Sequence, residues 1–120
     1  ICDQSEEEWA ATRGTLADGG INPITLERVI DARHCRRVLA ALATAGLYEL
    51  SGDWLFEVGL PGKSGVSGGI VTIAPGKGAV GVFAPRLDEA GNSIKGQLVS
   101  KFLSERLGLN LFASKPATTV

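Results

Sequence analysis

Apolar positions return at helical spacing near the N-terminus, where Trp9, Thr12 and Leu16 share one face. Ser5, followed three residues later by Glu8, predicts a capping box ahead of them, and Glu6, Glu7 and Glu8 suit the positive end of the helix dipole. Gly19-Gly20 stops this helix, and Asn22-Pro23 marks a turn. Asp31 then caps a second helix in which Cys35, Val38, Leu39 and Leu42 follow the i, i+3, i+4, i+7 pattern. Arg33, Arg36 and Arg37 form its solvated side, and Gly46 ends it. From 47 to 69 the periodicity is lost, and glycines fall among Tyr48, Trp54, Phe56 and Val58, which predicts a shaped loop. Two short apolar runs follow, Ile70 to Ala74 and Ala79 to Ala84. Pro75-Gly76-Lys77-Gly78 between them predicts an antiparallel hairpin, apolar enough to be covered on both faces. Asp88 to Gly91 reads as a turn, and Asn92 or Ser93 caps a last helix with Ile94, Leu98, Phe102 and Leu103 on one face. Gly108 ends that helix. Leu109 to Phe112 is a short closing segment, and Ala113 to Val120 a frayed tail.

The predicted order of helix, helix, hairpin, helix is an α+β arrangement. Two strands make a poor sheet on their own, so the hairpin is expected to belong to a wider sheet, with its other strands supplied from outside this sequence or by another copy. The sequence opens on Ile1-Cys2-Asp3 with neither an initiator Met nor an apolar leader, and it contains no Met; the expectation is a piece of a longer protein. A length of 120 residues allows one domain or a large part of one. A net charge of −1 offers no basic surplus to neutralise phosphates, which argues against a nucleic-acid partner. No apolar run approaches the length of a membrane span. Cys2 and Cys35 make neither a zinc site nor a disulfide framework, so a reducing, cytoplasmic setting is expected and no metal or organic cofactor is implied.

The stretch from Val58 to Gly69 carries the chemistry. Lys63-Ser64-Gly65 enters a strand, where backbone N–H groups stand at fixed positions and glycines let a substrate approach closely. Alone, the tripeptide also fits a glycine-rich turn. Tyr48 equally fits a packing tyrosine, Lys63 a solvated lysine, and His34, among arginines, a surface residue. Cys35, Trp9 and Trp54 read as packing residues, and Asp88 and Asn92 as organisers of the turn before the last helix.

Four blocks in order resemble the glutaminase family: Leu16-Ala17-Asp18-Gly19-Gly20-Ile21-Asn22-Pro23, Ala45-Gly46-Leu47-Tyr48, Gly59 to Gly69, and Pro85 to Gly96. The resemblance implies the C-terminal segment of a glutaminase domain over 1–120. It implies part of a β-lactamase-like three-layer α/β/α fold, with an antiparallel hairpin and flanking helices. It further implies hydrolysis of the side-chain amide of L-glutamine through a serine acyl-enzyme, a homo-oligomer, and the rest of a glutaminase chain as partner. The family nucleophile lies in Ser-x-x-Lys, which does not occur among these 120 residues, so this chain alone is expected to be inactive. By the same resemblance Tyr48 lines the glutamine pocket and assists proton transfer. The backbone at Val66 contacts the amide region beside the oxyanion hole, and Lys63, Ser64 and Gly65 support that strand. The sequence departs from the family pattern with Asp18 for Asn, Leu47 for Met, Gly62 for Ala, and Arg13 where apolar residues are common. A non-catalytic folded or assembly piece, and a penicillin-interacting relative, are the rival readings.

Overall fold

The computed structural model describes residues 6–114, with side chains from residue 11 onward. The Ser5–Glu8 capping box, the side chain of Trp9 and the end of the tail therefore lie outside the described residues. Helix α1 spans Glu6–Ala17, α2 Ala32–Ala45, α3 Ser51–Glu57 and α4 Ile94–Leu107; the strands are β1 Gly62–Gly65, β2 Gly69–Ala74 and β3 Gly78–Phe83. The strands form an antiparallel sheet in the order β1-β2-β3, with Ser64 opposite Ile70 and Thr72 opposite Val80. The chain is thus α+β, as its pattern predicts. The hairpin gains its third strand from the stretch read as a loop: Gly-Lys-Ser-Gly has no alternation of apolar residues and two glycines, and it is a strand because β2 offers it a complete ladder.

Local chemistry sets several element ends where the sequence puts them. Asp31 caps α2 by accepting from Arg33 N at 2.9 Å. Gly19 and Gly20 take positive φ after α1, and Gly108 closes α4 in the left-handed conformation. Of the two candidate caps for α4, Ser93 serves: its hydroxyl accepts from Gly96 N at 3.0 Å and donates to Ala84 O at 2.7 Å.

The core holds Leu47, Trp54, Val58, Leu60, Ile70 and Ala74, with Leu109 packed against it. Leu47, Val58, Leu60 and Ile70 each contribute about 1.5–3 kcal/mol by being fully buried. Trp54 is a core residue, and its indole N–H donates to Leu60 O at 2.7 Å. Cys35 is buried and free, and His34 is exposed. Strand β2 is covered on both faces. Strand β3 is not, and its last residue, Phe83, is 70% exposed. On the second helix Cys35 is buried, whereas Val38, at the next position of the predicted apolar face, is exposed.

Helix α4 departs furthest from its pattern. The expected apolar face points outward, with Leu98 63% and Phe102 58% exposed, and the buried face is the stripe Gly96, Ser100, Ser104. Small residues let the helix backbone lie close to the sheet: a methyl group on Gly96 would sit 3.0 Å from Ile70 Cδ1. The two serines are satisfied inside, Ser100 with the Thr72 hydroxyl at 2.9 Å and Ser104 by donating to Val58 O at 2.6 Å. Strand alternation then puts Ile70, Thr72 and Ser64 on the α4 side of the sheet, and Lys63 and Gly65 on the other.

Candidate functional site

The end of α2 meets β1 without a side chain between them. A Cβ on Gly46 would lie 1.7 Å from Gly62 O, and Gly46 O accepts from Ser64 N at 3.0 Å. Gly46 has right-handed φ and ψ, so glycine is required here by the close approach and not by the backbone angle. Gly62 in turn leaves room for the Trp54 ring, since a Cβ there would lie 2.7 Å from Cζ2.

Two residues beyond Gly46 the chain turns sharply. Tyr48 has φ 54°, one of two non-glycine residues with positive φ among the described residues. This left-handed backbone costs about 1–2 kcal/mol for an L-residue, and it persists because its surroundings hold it. The Ser51 hydroxyl accepts from Leu47 N at 3.1 Å and donates to Tyr48 O at 2.7 Å. Leu47 O accepts from Leu50 N at 3.1 Å and from the Asn92 carboxamide at 3.2 Å. The Tyr48 side chain remains 45% exposed, and the Lys63 ammonium lies 4.7 Å from its ring centroid. Lys63 also donates to Ser64 O.

Val66 tops the tight turn between β1 and β2, closed by Gly68 N donating to Gly65 O at 2.9 Å. Its side chain is 71% exposed, and among the described residues its N–H has no hydrogen-bond partner. Gly91 lies between Val66 and Tyr48: a Cβ there would stand 3.8 Å from Val66 Cγ1 and 4.0 Å from Tyr48 Cε2. Tyr48, Lys63 and Val66 are therefore brought to one exposed corner. The Ser64 hydroxyl is not at its surface; it is buried and donates to Asn92 Oδ1. Gly65 has open space where a side chain would go, with only Ser67 Oγ at 3.7 Å.

Asn92 is the residue the sequence undervalues. It is fully buried and links Leu47 to Ser64, on segments 45 and 28 residues away. The sequence offers Asn92 and Ser93 equally as caps; because Ser93 takes the cap, Asn92 is left to make this tie.

The turn presenting Gly91 and Asn92 is organised by Asp88. Its carboxylate accepts from Asn92 N at 3.0 Å and Gln97 Nε2 at 2.9 Å, while Asp88 N donates back to Asn92 O at 2.8 Å. Burial pushes the Asp88 carboxyl up, but the hydrogen bonds from Asn92 N, Gln97 and the Ala90 and Gly91 amides outweigh it and hold it below the ordinary carboxylate value. A depressed folded value means stability that is fully present above the unfolded value and is lost as pH falls through the folded one. The stability advantage of the parent chain over Asp88→Asn is therefore expected to be constant near neutrality and to shrink below about pH 4. Urea titrations at a series of pH values check this; an advantage that stays constant or grows on acidification contradicts it.

Among the described residues no group of acidic, cysteine or histidine side chains could hold a metal ion, and no helix is long and apolar enough to cross a membrane. The corner offers a phenol, an ammonium, and a backbone N–H beside a surface that glycine keeps open. It can bind and polarise a small polar group, and it holds no activated nucleophile.

The glutaminase family model matches residues 3–112. Glutaminase 2 of Yersinia pestis is 60% identical over 114 residues, which are 95% of this chain and 34% of that protein. Glutaminase of Colwellia psychrerythraea is 48% identical over 106 residues, again 34% of its length. A solved structure described as "Probable glutaminase ybaS" superposes with a TM-score of 0.85 at 47% identity, covering 89% of this chain and 35% of the other. A covalent complex of the Bacillus subtilis glutaminase YbgJ with 5-oxo-L-norleucine, formed by reaction with 6-diazo-5-oxo-L-norleucine, superposes with a TM-score of 0.83 at 36% identity; it covers 90% of this chain and 40% of that one. The chain spans about a third of the length of the curated relatives it matches. A match over nearly the whole chain, with the same fold in glutaminase structures, places this chain in the glutaminase family.

Proposed function

We propose that this chain forms one wall of the glutamine site of a serine-dependent glutaminase, within a β-lactamase-like domain completed by further chain. The observation that carries this reading is the approach of Tyr48 and Val66 to Gly91, with Lys63 over the Tyr48 ring, a Val66 N–H unpaired among the described residues, and no nucleophile among the three. A serine hydroxyl from outside these residues attacks the side-chain amide carbon of L-glutamine. The carbonyl oxygen becomes an oxyanion, and Val66 N–H is suitably free to donate to it. The Tyr48 phenol relays the serine proton to the departing nitrogen; the C–N bond breaks, ammonia leaves, and a glutamyl ester remains. Water then hydrolyses the ester to glutamate and restores the serine. The B. subtilis relative's covalent adduct with 5-oxo-L-norleucine supports a covalent route in the family. A structural relative described in its glutamate form supports the product class.

The 120-residue chain is expected to release no ammonia or glutamate from glutamine and to gain no mass with 6-diazo-5-oxo-L-norleucine. A full-length glutaminase carrying this segment is expected to turn over glutamine and to take the label outside residues 1–120. Intact mass and peptide mapping read both results. A label within this segment, or turnover by the purified chain, overturns the division of labour.

A further inference from the structure

Asn92 has no solvent exposure, caps no helix, and touches two segments remote from its own. Its Oδ1 accepts from the Ser64 hydroxyl on β1, and its Nδ2 donates to the carbonyl of Leu47, the residue before left-handed Tyr48. The amide can sit only one way round, because a carbonyl oxygen accepts and cannot donate. Ser51 grips the same corner from its C-terminal side, through Leu47 N and Tyr48 O. Removing the carboxamide leaves Ser51, among the described residues, as the only side chain hydrogen-bonded to the backbone of Leu47 and Tyr48, and leaves a buried hydroxyl at Ser64 without its partner.

We propose that Asn92 is a positioning residue for the substrate wall: by fixing the Leu47 carbonyl against the Ser64 hydroxyl, it keeps Tyr48 left-handed and its ring beside Gly91. The consequence for turnover rests on the functional reading above; the consequence for the geometry of Tyr48 does not.

The chain has one tyrosine, so NMR of the 120-residue protein reads this corner without ambiguity. Positive φ brings H–N and Hα of Tyr48 close together and gives a strong intraresidue cross-peak. In Asn92→Ala that cross-peak is expected to weaken to the level of right-handed residues, and the contact from the Tyr48 ring to Gly91 to disappear. Unchanged Tyr48 cross-peaks overturn the proposal.

Asn92→Asp decides the matter where Asn92→Ala does not fold. Its carboxylate accepts from Ser64 but repels Leu47 O, whereas the protonated acid donates to it. Burial raises the new carboxyl, so the Tyr48 pattern is expected to be absent at pH 7 and regained on acidification toward pH 5, above the range in which Asp88 protonates. A pattern that does not change over that interval overturns the proposal. In a full-length glutaminase carrying this segment, Asn92→Ala is expected to lower kcat about tenfold with a smaller change in KM. Lost Tyr48 geometry with unaltered kcat would overturn the catalytic reading of Tyr48 and uphold the clamp.

Discussion

Gly46→Ala is expected to destabilise the chain by about 3 kcal/mol, the upper end of what overpacking a close contact costs. The added methyl would collide with Gly62 O at 1.7 Å and with Leu42 O at 2.4 Å, and both are backbone atoms that cannot swing aside. Relief requires β1 to move away from the end of α2, which breaks the Ser64 N to Gly46 O hydrogen bond. Gly52→Ala makes the control. Gly52 lies in α3 with nothing within 4 Å of the added atom, so the substitution is expected to stabilise by about 0.5 kcal/mol through lower unfolded-state entropy. Urea unfolding of the two variants should therefore shift in opposite directions. Equal shifts, or a Gly46→Ala midpoint matching the parent's, would show that the contact between α2 and β1 is not the constraint described.

Tyr48→Gly separates stability from function. Glycine adopts φ 54° freely and so removes a strain of about 1–2 kcal/mol. Against that stand the lost contact with the Lys63 ammonium and the larger unfolded-state entropy of glycine, each worth about 0.5–1 kcal/mol. Net stability is expected to stay within about 1 kcal/mol of the parent, while kcat of a full-length glutaminase carrying the substitution falls about a hundredfold or more. Tyr48→Phe, which keeps the ring and the strain and loses the phenol proton, is expected to lose activity with unchanged stability. Parallel unfolding and steady-state kinetics on both variants check this. Turnover retained in Tyr48→Phe would remove the phenol from the reaction.

What was legible in the sequence is what neighbouring residues decide. Asp31, Gly19-Gly20, the Pro75–Gly78 turn and Gly108 act through bonds within a few residues, and the structure uses each of them. Helix α3 carries no readable signal in the sequence, because it is seven residues long, contains Gly52 and has no side-chain cap at its start. Strand β1 is not visible in the sequence, because its stability lies in pairing with β2 and not in its own residues. The inward face of α4 differs from the periodicity for another reason. Periodicity weighs apolar surface, whereas this contact rewards small volume, with Ser100 and Ser104 matched to Thr72 and Val58.

The site divides along the same line. A family resemblance spread over four blocks singles out Tyr48, Lys63 and Val66, and the structure brings the three to one corner. The left-handed Tyr48 and the clamp on Leu47 were not legible, because their partners are Ser51, which resembles any other serine, and a buried amide far along the chain.

That distance has a consequence for the order of assembly during translation. Tyr48, Lys63 and Val66 leave the ribosome well before Asn92, which lies 45 residues beyond Leu47. The early arrivals have their sequence and their local turns, but the last tie to Leu47 and Ser64 is made only when residue 92 has emerged and docked. The corner therefore closes only after residue 92 has emerged, later than the three side chains that line it.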